Sequence, residues 1–226
     1  MHHNYTGEKL EKKAESILCQ YKKGLYLEKI EPIDVDDFAE FFVGATIDFA
    51  NLSQDKKTLG LTCFYDGVIE VWNEDRTEKI KIHSDGNTIF LDTDTDIMCI
   101  KERTRFTIMH ECSHILLHKR FYFVGANQRN KHIAYVPFYH ESWKEKPSMS
   151  EVDIHEWQAN RLAAALLVPR KTLFHYLEEE LKIKKLNKIN LSDHLIYRLS
   201  LLYGVSIEMM KRRLRDLDII EDCFGG

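Results

Sequence analysis

The sequence is poor in the features that mark secreted, membrane-spanning and nucleic-acid-coating proteins. Its five cysteines are scattered and form no CxxC pair, which argues against a disulfide framework and against a thiolate zinc site. No apolar run approaches the roughly 20 residues of a membrane helix, and the N-terminus lacks the basic-then-apolar layout of a secretory signal. Since 36 acidic residues exceed 32 basic ones, no overall positive field attracts nucleic acid or anionic lipid. We therefore expect a cytoplasmic protein.

Proline is also scarce, and the four prolines leave long stretches open to regular structure. Apolar residues at helical spacing predict a first helix over residues 6–23, with Gly24 as its stop, and Asp34 is placed to cap a second. From Gly60 the period becomes strand-like. The Asp66-Gly67 pair predicts one hairpin turn, and the residues around 84–87 predict another. Residues 60–92 are thus expected to form a small, mostly antiparallel sheet.

Helices dominate the rest of the predicted chain. Asp94, Thr95 and Asp96 offer caps for a long helix to about Lys119, and Ser148 with Glu151 fits a capping box for a helix that Pro169 closes. Between them, the aromatic segment 120–147 has no clean period and is interpreted as an inserted loop. Short helices are predicted over residues 172–185, 192–203 and 206–217. The expected organisation is an N-terminal helix (1–30), a core (31–170) and a C-terminal helical region (171–226), of class α+β.

The segment HECSH contains His110, Glu111 and His114 in the HExxH pattern of zinc peptidases. In a helix the two histidines lie only about 40° apart, so their imidazoles can share one metal ion. Glu111 lies about 100° away, beside the metal, where it can activate the attacking water. A shuffled chain of this composition would contain the pattern with an expectation of roughly 0.05, so the motif needs support from elsewhere.

A catalytic zinc needs a third protein ligand and an open position for water. The helical stretch HEWQANRLAAALLVP places Glu156 and Asn160 on one face, so that Glu156 can bind the metal and Asn160 can hydrogen-bond the free ring nitrogen of a ligand histidine. Glu156 is favoured because Ala159 and Ala163 would let two helices approach closely. Rival third ligands remain, and these are Glu151, Asp153 and His155.

These two segments resemble the ImmA/IrrE family of gluzincin-like metallopeptidases. RFTIMHECSHILLH and EWQANRLAAALLVP match the family's patterns RFTxAHExGHxLLH and ExEANxFAxxLLxP, and the closing YGVSIEMMKRRLRDL is similar to its usual ending. The resemblance implies a minigluzincin-like fold, in which the sheet packs on the HExxH helix and on a glutamate helix. It makes His110, His114 and Glu156 the Zn²⁺ ligands and Glu111 the catalytic base.

The chain departs from the family pattern at Met109, Cys112 and Ser113, and Glu156 follows His114 by 42 positions, a spacing that predicts the insertion. Some members resemble proteases that cleave a helix-turn-helix repressor encoded beside them, often on phages or mobile elements, and so regulate transcription. A protein substrate of this kind is therefore the expected partner. The residue that steadies the oxyanion is left open among four candidates: Tyr135, Tyr139, His140 and His155.

Two tempting patterns have plainer interpretations. His118 lies one turn beyond His114, but about 12 Å along the axis from His110, too far to share one metal. We expect it beside the site or at the surface. Asp92, Asp94 and Asp96 alternate like a calcium loop, yet the required glycine and distal glutamate are missing, so caps and a solvated loop are favoured.

The alternative function is a DNA-binding or metal-bound regulatory protein without proteolytic activity. Residues 192–217 have the length and glycine turn of a helix-turn-helix, and its second helix carries Lys211, Arg212, Arg213 and Arg215. Nearby acidic residues cancel much of that charge, so nucleic acid is a less favoured partner.

Overall fold

The computed structural model describes residues 5–93, 101–126, 151–182 and 188–221. The chain divides into two compact units, one made of Met1–Thr6 and Asp34–Ala163, the other of Gly7–Ile33 and Ala164–Gly226. The predicted α+β class is confirmed, because a small mixed sheet is combined with several helices. No described helix is both long and apolar enough to cross a membrane.

The second unit is helical in its described parts. Helix α1 (Gly7–Gln20) buries one apolar stripe and runs into a tight turn over Tyr21–Gly24 and helix α2 (Leu25–Glu28). Helix α1 ends earlier than predicted, because Lys22 and Lys23 have positive φ and leave the helix before Gly24. The C-terminal helices of this unit are α6 (Arg170–His175, continued by Tyr176–Glu180), α7 (Asp193–Tyr203) and α8 (Ile207–Asp216).

One C-terminal boundary also differs from its prediction. The helix expected over residues 172–185 ends at Glu180, and Lys182 has a φ of 56°, a left-handed conformation that no helix interior contains. Helices α7 and α8 occupy the predicted positions. Each begins with a serine whose hydroxyl accepts from a backbone N–H, Ser192 from Leu195 and Ser206 from Met209, and Gly204 ends α7 with a φ of 62°.

The first unit contains two separate β structures. Strands β1 (Thr46–Ala50), β5 (Thr88–Asp92) and β2 (Gly60–Cys63) form a sheet in the order β1-β5-β2. In that sheet β1 is parallel and β2 antiparallel to β5. Strands β3 (Asp66–Trp72) and β4 (Lys79–Asp85) form a two-stranded antiparallel ribbon. The prediction of a mostly antiparallel sheet is therefore wrong for the three-stranded sheet, which is mixed.

Both predicted hairpins are wrong in their pairing. Asp66 and Gly67 begin β3 instead of forming a turn, and β4 does not pair with β5. All residues of β2 and β5 are buried. Pairing these two strands with each other buries the side chains on both of their faces, which favours this pairing over the predicted hairpins. The observed hairpin turn lies at Asn73–Glu78, where the Asn73 side chain accepts from the N–H groups of Thr77 and Glu78.

Three further helices lie wholly or mainly in the first unit. Asp34 caps α3 (Val35–Asp37) as predicted, by accepting from the N–H of Asp37, and the chain continues helically over Phe38–Val43. Helix α4 spans Lys101–Ala126 and α5 spans Glu151–Leu167. The predicted inserted loop thus begins after residue 126 at the earliest. The caps predicted at Asp94, Thr95, Asp96 and Ser148 lie outside the described residues.

Candidate metal centre

Helix α4 presents two imidazoles on one face. His110 and His114 are one turn apart and nearly inaccessible to solvent, with 0% and 4% exposure. The opposite arc of the helix is apolar, and Ile108, Cys112 and Ile115 are buried there. The helix is therefore anchored by burial of its apolar arc while its histidines lie in a dry environment. Cys112 lies in the core as an ordinary small apolar residue.

Glu156 on helix α5 meets both histidines. Its Oε1 lies 2.9 Å from Nε2 of His114, and its Oε2 lies 3.3 Å from Nε2 of His110. The two Nε2 atoms are 3.0 Å apart. One ligand atom from each of the three residues falls within 4.8 Å of the others. Sequence reasoning thus placed these three residues together, and the structure brings them together.

The residues present fit a tetrahedral zinc ion. Nitrogen and oxygen ligands about 2.0–2.1 Å from a tetrahedral metal lie about 3.3 Å from one another, close to the separations found here. Both oxygens of Glu156 are buried, and each faces an imidazole nitrogen, Oε1 that of His114 and Oε2 that of His110. A buried carboxylate is costly unless a cation or hydrogen-bond donors satisfy it. The donor set of two nitrogens and a carboxylate suits zinc.

The charges of the cluster favour an ionised carboxylate. Burial by itself would raise the pKa of Glu156, but the facing imidazoles of His114 and His110 lower it to about 2. For His110, burial opposes protonation, yet the carboxylate of Glu156 outweighs it and raises the pKa of the imidazole. Without a metal, the carboxylate and the imidazoles thus favour each other's charged forms, and a bound cation would take the place of the imidazole protons opposite the carboxylate.

Asn160 lies where the sequence placed it. Its Oδ1 is 2.9 Å from Nδ1 of His110, and its side chain is buried. An amide oxygen only accepts hydrogen bonds, so Nδ1 of His110 is the protonated nitrogen and Nε2 keeps its lone pair toward Glu156. This contact selects the tautomer that a metal ligand requires.

Glu111 is held by a residue that sequence reasoning missed. The hydroxyl of Thr62, on β2, donates to Oε2 of Glu111 at 2.6 Å, while Oε1 has no hydrogen-bond partner among the described residues. Burial raises the pKa of Glu111, and the two histidines and Thr62 lower it in part. The α carbon of Gly60 also faces Glu111, since a Cβ there would lie 2.8 Å from Oε1. No sequence pattern signals either contact.

His118 lies beside the cluster and is buried, not at the surface. Its Nδ1 is 3.0 Å from Nδ1 of His114, and its Nε2 is 3.0 Å from Oε1 of Gln158. Burial and the neighbouring imidazoles lower the pKa of His118 well below its usual value, so its ring is neutral. The ring of His155 stacks on it at a centroid distance of 4.2 Å. Gln158 had no predicted role.

The structure places the other described candidate residues outside this cluster. Among the described residues, Asp153 and His155 do not join the metal-binding group. Asp92 is buried and paired with Arg76 at 2.6 Å, so the expectation of a solvated loop is wrong at this position. The remaining candidate residues lie outside the described residues or have undescribed side chains: Glu151, Tyr135, Tyr139, His140, Asp94 and Asp96.

Helix α8, on which the DNA-binding alternative rests, exposes less positive charge than its sequence indicates. Arg213 is fully buried, with its guanidinium on the carboxylate of Glu11 and on the carbonyl of Val168. Lys211 pairs with Asp193, and Arg212 pairs with Glu208. These contacts neutralise or withdraw most of the charge that the DNA-binding interpretation needs.

The geometry thus defines a cluster that is able to hold a metal ion, with a carboxylate beside it on the same helix. Residues 138–215 match the Peptidase_M78 family model, described as the IrrE N-terminal-like domain. Over these residues the match agrees with the predicted resemblance to the ImmA/IrrE family and indicates metallopeptidase chemistry. The matched range includes Glu156 and Asn160 and begins after the HExxH segment. No curated protein matches the chain.

Proposed function

We propose that this protein is a zinc-dependent endopeptidase, with His110, His114 and Glu156 as metal ligands and Glu111 as general base. The observation that carries the proposal is the convergence of three buried ligand atoms within 4.8 Å. Both oxygens of Glu156 face imidazole Nε2 atoms, which are themselves zinc donors, and this arrangement supports a cation shared by the three side chains. The family match supports the same class of chemistry.

Zinc, when bound, supplies a Lewis acid that lowers the pKa of water and polarises the scissile carbonyl. Glu111 then takes one proton from the attacking water through Oε1, the oxygen that has no hydrogen-bond partner among the described residues. The water oxygen bonds to the carbonyl carbon, the C–N bond breaks, and Glu111 returns the proton to the leaving amine. The hydroxyl of Thr62 donates to the other oxygen of Glu111 and so orients the carboxylate.

The substrate of this proposal is a specific protein, cleaved within one segment that reaches the metal and Glu111. Because β2 is buried along its length, that segment is not expected to add as a strand to β2, although Thr62 of β2 contacts Glu111. On the family resemblance, we propose a helix-turn-helix repressor of a phage or mobile element as the substrate, so that cleavage regulates transcription.

The test is to incubate the zinc-loaded protein with the repressor-like protein encoded beside it and to measure fragments by mass spectrometry. We expect two fragments whose masses sum to the substrate plus one water, and none after removal of metal by a chelator. Glu111→Gln should retain zinc and lose roughly 10²–10⁴-fold in rate. Glu102→Gln, on the same helix but outside the cluster, is the control. Cleavage by Glu111→Gln at the parent rate would refute the assignment.

A further inference from the structure

The ring of His118 is fixed on three sides by described residues. Its Nδ1 contacts Nδ1 of His114, its Nε2 contacts Oε1 of Gln158, and the ring of His155 stacks on its face. Phe121 meets the His155 ring edge-on at 4.7 Å. With 2% exposure, His118 is shielded from water that would compete for these hydrogen bonds. Its orientation is therefore set by protein contacts.

The donor and acceptor properties of the side chains fix the proton positions along the hydrogen bonds from Gln158 through His118 to His114. A neutral imidazole has one N–H donor and one acceptor nitrogen, and an amide oxygen only accepts. Oε1 of Gln158 therefore receives the proton of Nε2 of His118, which leaves Nδ1 of His118 as an acceptor. That acceptor requires the proton of His114 on Nδ1. The remaining nitrogen of His114, Nε2, then keeps its lone pair and faces Glu156.

We propose that His118, anchored by Gln158, is a positioning residue that fixes the tautomer and ring orientation of His114 so that Nε2 is presented as a metal ligand. This inference rests on the proposed function, because it assumes that His114 binds a metal. Helix α5 would then orient both histidines of α4, His110 directly through Asn160 and His114 through the Gln158–His118 relay.

The variants His118→Asn and His118→Leu have side chains of similar shape and differ in whether they accept the hydrogen bond from His114. Asparagine at 118 places an oxygen near the position of Nδ1, and leucine fills a similar space without an acceptor. We expect His118→Leu to bind zinc roughly 10–100-fold more weakly than His118→Asn, and His118→Asn to stay near the parent. Zinc affinity is measured on the full chain by competition with a chromogenic chelator, and the metal-free variants should unfold at similar temperatures. Equal zinc affinities for the two variants would overturn the relay.

A second pair covers the case in which substitutions at His118 prevent folding. Gln158→Glu keeps an accepting oxygen and should hold zinc as tightly as the parent, whereas Gln158→Met removes it and should weaken binding. Nitrogen-15 spectra of the zinc-loaded parent should show His114 protonated at Nδ1 and His118 at Nε2, and the opposite tautomer of His118 would contradict the relay. If the parent itself binds no zinc, the proposed function fails. If the parent binds zinc and cleaves but the variant pairs are equal, only the relay fails.

Discussion

At the scale of single residues, Gly60 makes room for the proposed base. A Cβ at this position would lie 2.7 Å from Cγ2 of Thr107 and 2.8 Å from Oε1 of Glu111, closer than non-bonded atoms tolerate. Gly60→Ala should therefore displace the Glu111 carboxylate and lower the cleavage rate by roughly 10²-fold, the usual cost of misplacing a catalytic group by about 1 Å. Zinc content should be unchanged, because the proposed metal ligands are other residues.

Gly7→Ala is the matched control for this substitution, since a Cβ at Gly7 meets nothing within 4 Å. Its cleavage rate should equal that of the parent. A Gly60→Ala protein with full activity would show that the carboxylate of Glu111 has room to move without loss, contrary to the geometry.

Thr62 is the second residue on which the position of Glu111 depends. Thr62→Val keeps the shape of the side chain and removes the hydroxyl that donates to Oε2. We expect lower activity and a loss of about 1–3 kcal/mol in the free energy of unfolding, because a buried carboxylate loses its donor. Thr62→Ser restores the donor and should recover both properties. The measurements are cleavage rate and urea unfolding, and equal values for valine and serine would contradict the assigned contact.

At the scale of secondary structure, the serine caps of α7 and α8 allow a test of how much a local capping interaction contributes to stability. Ser206 accepts from the N–H of Met209 at the first turn of α8. Ser206→Ala should lower the free energy of unfolding by about 1 kcal/mol, and Ser206→Asp should preserve it, because aspartate is an equally good cap. Urea unfolding checks this, and an alanine variant as stable as the parent would mean that the cap contributes nothing.

Helices and strands differ in how far local sequence predicts them. The helix positions followed from apolar periodicity and from caps such as Asp34, because these are interactions between near neighbours. The strand pairings could not be predicted from local sequence. The Asp66-Gly67 pair favours a hairpin turn, but the burial of β2 and β5 outweighs this local preference. Strand β1 was missed since its residues are mostly accessible. Arg76 takes the positive φ of the observed β3-β4 turn, where no glycine marks it.

In the candidate site too, contacts between near neighbours in sequence could be predicted, whereas contacts that depend on the packing of distant elements could not. His110 and His114 are one helical turn apart, so their convergence could be predicted from spacing, and Glu156 with Asn160 could be predicted from helical spacing and the family resemblance. Thr62 and Gln158 could not be predicted. The contact of Thr62 depends on which strand packs against α4, and that of Gln158 depends on how α5 faces His118.

At the scale of the molecule, the helical unit joins distant parts of the chain through one ion pair. Arg213 on α8 is buried and meets Glu11 on α1, 202 positions away. Arg213→Met should lower the free energy of unfolding by about 3 kcal/mol, because Glu11 loses its cation in a largely desolvated position. Arg212→Met, which removes an exposed pair with Glu208, should change it by less than about 1 kcal/mol.

Urea unfolding distinguishes these two variants, and equal stabilities would contradict the importance of the buried pair. The same comparison bears on the DNA-binding alternative, since a buried Arg213 is unable to contact a phosphate. If Arg213→Met reduced DNA affinity and left the free energy of unfolding unchanged, the result would support the DNA-binding alternative.

The most direct test of the whole account is the location of zinc in crystals of the zinc-loaded protein, measured by anomalous scattering at the zinc absorption edge. We predict one strong peak about 2.0–2.2 Å from Nε2 of His110, Nε2 of His114 and a carboxylate oxygen of Glu156. An absent peak at this cluster, or a zinc ion bound by other residues, would contradict the central claim.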